Sequence, residues 1–312
     1  MLEHLRDQGF EVEEGKCLRA RHKHVSGPKD VRAAELMRFW RDPDIRAIMP
    51  PWGGELLVEI LPLLDFEELR SLEPKWISGY SDISTLHLPL TILAGVATVH
   101  GSNLMDLSPS QTDPLTNGLM KILQLEPGSE FEQNSSSLHQ VQWLDFRTQV
   151  SAPLNLTEPT QWKKLRGGDE SVCFSGRLIG GCLDTVARLV GTPYGDVKMF
   201  SREAGSEGTI VYFENCELSV CEWTRTLWNI KLAGWFENVS GVLIGRSNGP
   251  EANSPDDLSY LESLVSVLGD LKMPILYDVD IGHRPPQLSI LNGSLGMVEF
   301  SAGKGKLRQK LI

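Results

Sequence analysis

Short apolar runs alternate with helical patterns through the first hundred residues, and this alternation restricts the possible folds more than any other feature of the sequence. Leu2 to Gln8 reads as the end of a helix stopped by Gly9, and Phe10-Glu11-Val12 as a strand. Val31 to Trp40 has helical apolar spacing behind a Ser26-Gly27-Pro28 start signal. Ile45 to Met49 is a short buried strand that ends at Pro50-Pro51-Trp52-Gly53-Gly54. Glu55 to Leu64 and Asp65 to Leu72 read as helical, Trp76-Ile77-Ser78 as a strand, Ser81 to about Leu93 as a helix, and Ala97 to His100 as another strand. Repeated βα units predict a mostly parallel, doubly wound sheet that collects ligands at its strand C-termini.

From about Glu126 the texture changes. Residues 1–129 form a first α/β domain, the polar and turn-rich stretch 130–168 a connection holding some strand, and 169–312 a smaller second α/β domain. The second domain carries Arg177-Leu178-Ile179-Gly180-Gly181, strand Thr209 to Phe213, helix Val220 to Ala233, strand Val239 to Ile244, helix Leu258 to Leu268 and strand Ile275 to Asp278. Hydrophobic residues make up 41% of the chain, enough for a sizeable core, yet no apolar run approaches the ~18–20 residues of a membrane span. The N-terminus lacks the layout of a signal peptide, and five cysteines without a scaffold spacing read as reduced thiols, so a cytoplasmic location is expected. The net charge of −11 argues against a nucleic-acid partner. His22 and His24 have no carboxylate or cysteine at ligand spacing nearby, and no metal or cofactor is expected.

The segment with most chemical content is Trp76-Ile77-Ser78-Gly79-Tyr80-Ser81-Asp82-Ile83. A strand enters a tight Gly-x-Ser turn and leaves as a helix, as in a nucleophile elbow, although Ile83 stands where the usual pattern has glycine. On this segment alone, Ser81 or Asp82 as a simple helix cap is the favoured reading. Gly53-Gly54 ends the neighbouring strand, so its N–H groups can meet Ser81 at one sheet edge, or the pair simply makes a turn. For a base, His283 ends a strand-to-glycine turn after Pro274, whereas His87 and His100 read as structural. For an acid, Glu214 ends a buried strand and needs a partner there; Glu217 and Glu222 compete for that role.

Taken in order, these residues resemble the LD-carboxypeptidase and microcin-immunity (MccF) serine peptidases. The landmarks are Asp42-Pro43-Asp44-Ile45-Arg46-Ala47-Ile48, Gly53-Gly54, Leu63-Leu64-Asp65-Phe66, Pro74-Lys75, Gly79-Tyr80-Ser81-Asp82 and His100-Gly101. They continue through Gly176-Arg177-Leu178-Ile179-Gly180-Gly181, Phe213-Glu214, Asp278 to His283, and Gly293. The resemblance implies Ser81 as nucleophile, His283 as general base and Glu214 as the acid that orients it. It also implies an oxyanion hole from the backbone of Gly53, Gly54 and Asp82, a cleft between two domains, and a homodimer. The implied reaction is hydrolysis of an amide-type bond through an acyl-enzyme. The substrate is either a muropeptide ending in D-alanine or a peptidyl- or aminoacyl-nucleotide. Leu232 to Gly245 and Tyr277 to His283 look closer to the MccF side. Trp162, Arg177 and Gly180 are carried as substrate-binding positions, Trp162 as a face for a nucleobase or else as a packing residue.

The chain departs from the family pattern in three places. Family members begin about one βα unit earlier, so the first sheet is expected to lack a strand beside Phe10-Val12 and Ile45-Met49. The family's Gly-Gly-Asn is Gly180-Gly181-Cys182 here, and Ser84 stands where threonine is common. The rival reading is a non-catalytic relative that keeps the cleft and binds a peptide or nucleotide.

Overall fold

A computed structural model describes residues 1–107, 113–142, 152–168 and 170–312. The predicted connection 130–168 is therefore described except for 143–151. Among the described residues, two large sheets organise the chain. The first has the order β1 (Ala47–Ile48), β2 (Trp76–Gly79), β3 (Thr98–His100) and β12 (Ile290–Asn292), parallel except for β12. The second has eight strands. Its parallel centre runs β8 (Val172–Cys182), β9 (Thr209–Glu214), β10 (Val239–Gly245) and β11 (Ile275–Val279). Antiparallel β7 (Lys163–Lys164) lies beyond β11, and β13 (Leu295–Ser301), β14 (Lys304–Lys310) and β4 (Glu130–Asn134) extend it beyond β8. A separate two-stranded sheet joins β5 (Leu138–His139) to β6 (Glu158–Pro159).

The helices are α1 (Leu2–Asp7), α2 (Lys29–Arg41), α3 (Phe66–Ser71), α4 (Ser84–Ala94), α5 (Gly118–Ile122), α6 (Leu183–Val186), α7 (Val197–Glu203), α8 (Val220–Leu232) and α9 (Tyr260–Leu268). Helix α2 is amphipathic and buries Ala33, Met37 and Trp40 at helical spacing. Helix α4 is apolar on every side and buries ten of its residues, as a helix packed between two sheets must. It stops at Gly95, which takes the left-handed conformation at φ +68°. Helices α8 and α9 each open with a reciprocal capping box, Ser219 with Glu222 and Ser259 with Glu262. All six residues of β9 are buried, because both faces of a central parallel strand are covered.

Three sequence expectations change. Phe10-Glu11-Val12 is not a strand, since β propensity in a segment flanked by glutamates has no neighbouring strand to bond. The second unit is not the smaller by sheet size: among the described residues its sheet has eight strands against four, because antiparallel β13, β14, β4 and β7 add to the four parallel strands. The first sheet also borrows β12 from the C-terminal region, with Ile290 opposite His100. Among the described residues β1 forms the free edge of that sheet.

Candidate active site

Strand β2 delivers the elbow. Gly79 has φ +145°, and a Cβ there would lie 2.8 Å from Asn103 Oδ1 and 3.0 Å from Ile83, so only glycine fits. Ser81 itself sits at φ +62° and opens a single 3₁₀ turn that continues into α4. A non-glycine residue in the left-handed region costs roughly 1–3 kcal/mol and persists where the surroundings impose it. The Asp82 carboxylate is buried and accepts from the Leu57 N–H at 2.8 Å and the Thr85 hydroxyl at 3.0 Å, tying the 53–57 loop to the elbow. Burial raises the pKa of Asp82, and those two hydrogen bonds work against the rise. Gly53 approaches so closely that a Cβ would lie 3.0 Å from Ser81 Oγ and 3.2 Å from the Asp82 nitrogen. Gly54 adjoins it at φ +147°. Of the three residues predicted to form an oxyanion hole, Gly53 meets the Ser81 side chain and the Asp82 nitrogen, and Gly54 lies against the Asp82 carboxylate.

The other half of the site comes from the second sheet. Glu214 ends β9, fully buried, with Oε2 2.9 Å from His283 Nδ1. Two glycines make room for it. A Cβ at Gly282 (φ +92°) would collide with the Glu214 carboxylate, and one at Gly245 would lie 2.9 Å from Glu214 Cβ. The His283 ring packs edge-on against Tyr80, 4.8 Å between centroids, which brings it beside the residue preceding Ser81. Among the described residues no hydrogen bond joins Ser81 to His283. Burial alone would push the Glu214 carboxyl up, yet the charge and hydrogen bond of His283 bring it below its usual value. Burial likewise opposes protonation of His283, but the Glu214 charge, with the nearby Cys216, raises its pKa well above the ordinary histidine range. Glu217 and Glu222 are exposed, and Glu222 is engaged as a helix cap.

The remaining sequence candidates lie elsewhere. Trp162 is fully buried in the core of the large sheet, presents no face to a cleft, and donates its indole N–H to Asp280 Oδ2 at 2.7 Å. Arg177 sits five residues before the Cys182 end of β8, roughly 16 Å along the strand, and pairs with Glu207 at 2.5 Å. Gly180 is buried against the Tyr212 backbone, and its N–H donates to Asn292 Oδ1 at 3.1 Å. His22 and His24 are exposed, whereas His87 and His100 are fully buried.

Sequence reasoning missed the brace beneath His283. Arg246, just past β10, donates to Asp280 at 2.7 Å and to the carbonyls of Arg284 and Pro286 at 2.8 and 2.6 Å. Asp280 also accepts from the Ser136 N–H and from Trp162. A buried pair with its remaining hydrogen bonds satisfied fixes the loop that carries His283. The Asp280 position within Tyr277 to His283 was the available signal, but its partner is 34 residues away. Cys216, two residues after Glu214 and beside His283, was also missed.

Comparison with known proteins identifies the family. Residues 1–101 match the LD-carboxypeptidase N-terminal domain and residues 175–297 the LD-carboxypeptidase C-terminal domain. A Vibrio cholerae protein classed by name as a carboxypeptidase is 30% identical over 99% of this chain and 89% of its own length. The murein tetrapeptide carboxypeptidase of Pseudomonas aeruginosa is 28% identical over 90% of this chain and 81% of its own. The solved structure of MccF in complex with glutamyl sulfamoyl guanosine superposes with a TM-score of 0.81 at 24% identity, covering 100% of this chain and 90% of that one, a likeness of fold. No helix among the described residues is long and apolar enough to cross a membrane. With both of its domains matched in order, the chain belongs to the LD-carboxypeptidase family of peptidases.

Proposed function

We propose that the protein is a serine carboxypeptidase in which Ser81, His283 and Glu214 form the catalytic triad. One observation carries this reading: Ser81 holds a strained left-handed backbone at a strand-to-helix turn, and the preceding Tyr80 packs against a histidine bonded to a buried carboxylate. In the reaction His283 Nε2 takes the Ser81 proton as Oγ attacks the amide carbonyl. Glu214, bonded at Nδ1, holds the tautomer and stabilises the imidazolium. The N–H groups of Asp82 and of Gly53-Gly54 receive the oxyanion, and His283 gives its proton to the amine, which leaves. A water that gives a proton to His283 then attacks the acyl-enzyme, and that proton passes to Ser81 Oγ as the acid product is released. A small closure of His283 onto Ser81 with substrate completes the hydrogen bond.

Two substrate classes fit, a muropeptide with a terminal D-alanine and a peptidyl- or aminoacyl-nucleotide. The Pseudomonas relative is named for a murein tetrapeptide, which speaks for the first, and the MccF structure holds glutamyl sulfamoyl guanosine, which speaks for the second. We favour the second on the segments Leu232 to Gly245 and Tyr277 to His283, without a role for Trp162. The reading includes a homodimer acting in the cytoplasm, where the five free thiols would stay reduced; light scattering at twice the chain mass checks the dimer. Side-by-side assays on a muropeptide and an aminoacyl-sulfamoyl adenosine decide the substrate. A fluorophosphonate that labels Ser81 supports the enzyme, whereas ligand binding without labelling or turnover identifies a non-catalytic binding relative.

A further inference from the structure

The Cys182 thiol, a carboxylate oxygen of Glu214 and a ring nitrogen of His283 lie within 4.8 Å of one another. The topology puts them there. Cys182 and Glu214 are register partners at the C-terminal ends of adjacent parallel strands, and His283 bonds Glu214 from the loop after β11. Both Cys182 and Glu214 are fully buried. The second carboxylate oxygen, Glu214 Oε1, is buried and meets no hydrogen-bond donor apart from the weak Cys182 thiol beside the carboxylate, whose Sγ also lies 3.6 Å from Asp184 Oδ2. A buried carboxylate oxygen with only a thiol and an imidazole around it is an arrangement suited to a cation.

We propose that Cys182, Glu214 and His283 form a site for a thiophilic divalent cation such as Zn²⁺, and that its occupation silences Ser81. A sulfur, nitrogen and oxygen donor set matches the ligands zinc takes, with bond lengths of roughly 2.0–2.3 Å. Tetrahedral ligand atoms at those lengths stand roughly 3.3–3.6 Å apart, so the cluster closes by about 1 Å through side-chain rotation. Binding is balanced as follows. The Cys182 thiol loses its proton to solvent, and the metal takes the place between Glu214 and His283 Nδ1. The Nδ1 proton of a neutral His283 moves to Nε2, and an imidazolium releases one further proton. Two ligand charges cancel that of the ion, so no net charge is buried. With Nε2 protonated, His283 has no lone pair to take the Ser81 proton. The cation reaches the cluster through His283, whose side chain is 13% exposed. The site depends on a feature of this chain, since Cys182 replaces the asparagine of the resembled family, a poorer zinc ligand.

Silencing rests on the proposed role of His283, but binding does not, and the test separates them. Purified protein is titrated with Co²⁺ as a spectroscopic probe. The expected result is a thiolate-to-cobalt charge-transfer band saturating at one equivalent per chain, present in Cys216→Ser and in Ser81→Ala and absent in Cys182→Asn. Glu214→Gln, which preserves side-chain volume, should weaken binding by at least about tenfold, which keeps the test valid if Cys182→Asn fails to fold. Lack of the band, its survival in Cys182→Asn, or its loss in Cys216→Ser overturns the site. Zn²⁺ at saturation should abolish turnover, with recovery on chelation. Turnover that continues in metal-loaded protein overturns the silencing, and a band in a protein with no turnover at all instead counts against the triad.

Discussion

At the scale of the residue, the candidate chemistry depends on a few side chains held in place by glycines. Ser81→Ala should lower kcat by roughly 10⁴–10⁶-fold without lowering the melting temperature, since the half-buried hydroxyl makes no hydrogen bond among the described residues. Glu214→Gln should cost less, roughly 10³–10⁴-fold. It should also displace the pH profile in a definite direction. The Glu214 charge raises the His283 pKa, so its removal leaves the ring neutral at lower pH and moves the acid limb of kcat/KM downward. A limb that stays in place would separate Glu214 from the base. Gly53→Ala would put a methyl group 2.7 Å from Ser81 Cβ and should lower kcat by on the order of 10²-fold with the fold intact, measured on enzyme checked by circular dichroism.

At the scale of the element, the β11 loop and α4 determine whether the site is assembled. Arg246→Met removes one member of a buried pair and frees the loop carbonyls of Arg284 and Pro286. The expected loss is about 3–5 kcal/mol in denaturant unfolding, with a fall in kcat as His283 loses its position. Helix α4 supports both sheets at once: its Ser84 hydroxyl accepts from the Cys182 N–H at 3.0 Å, and Leu88 and Leu90 are fully buried. Leu88→Ala should therefore cost about 2–5 kcal/mol, whereas Ser259→Ala at the α9 cap should cost only about 1 kcal/mol. Equal losses would mean that α4 does not hold the core. The helices themselves were legible from apolar spacing and capping residues. Phe10-Val12 was not, because a strand exists only if a neighbour supplies its hydrogen bonds, and none lies beside that segment.

At the scale of the whole molecule, burial of histidines between the sheets ties stability to pH. His100 is fully buried under the site, and burial lowers its pKa from 6.5 to about 4; burial lowers that of His87 as well. An unfolded chain takes up a proton near pH 6.5 that the native His100 refuses until about pH 4. Stability is therefore full above that upper value and declines as the pH falls through the window, by on the order of 3 kcal/mol from His100. Urea unfolding at several pH values should show this slope in the wild type and a shallower one in His100→Gln. An unchanged slope would assign the acid sensitivity to other groups.

The βα order of the first half, the strand-to-helix turn at Ser81, and a carboxylate and a histidine at two later strand ends are all legible from the residues in order. These are local matters of periodicity, turn chemistry and residue type, and a linear reading contains them. Long-range packing alone brings β12 back to extend the first sheet and sets Glu214 and His283 2.9 Å apart across 69 residues of chain. It likewise placed Trp162 in the interior as a support for Asp280, where the sequence left it open as a substrate contact. The physical reason is common to all three. Pairing across a sheet and burial in a core depend on which distant segments pack together, and no local spacing encodes that choice.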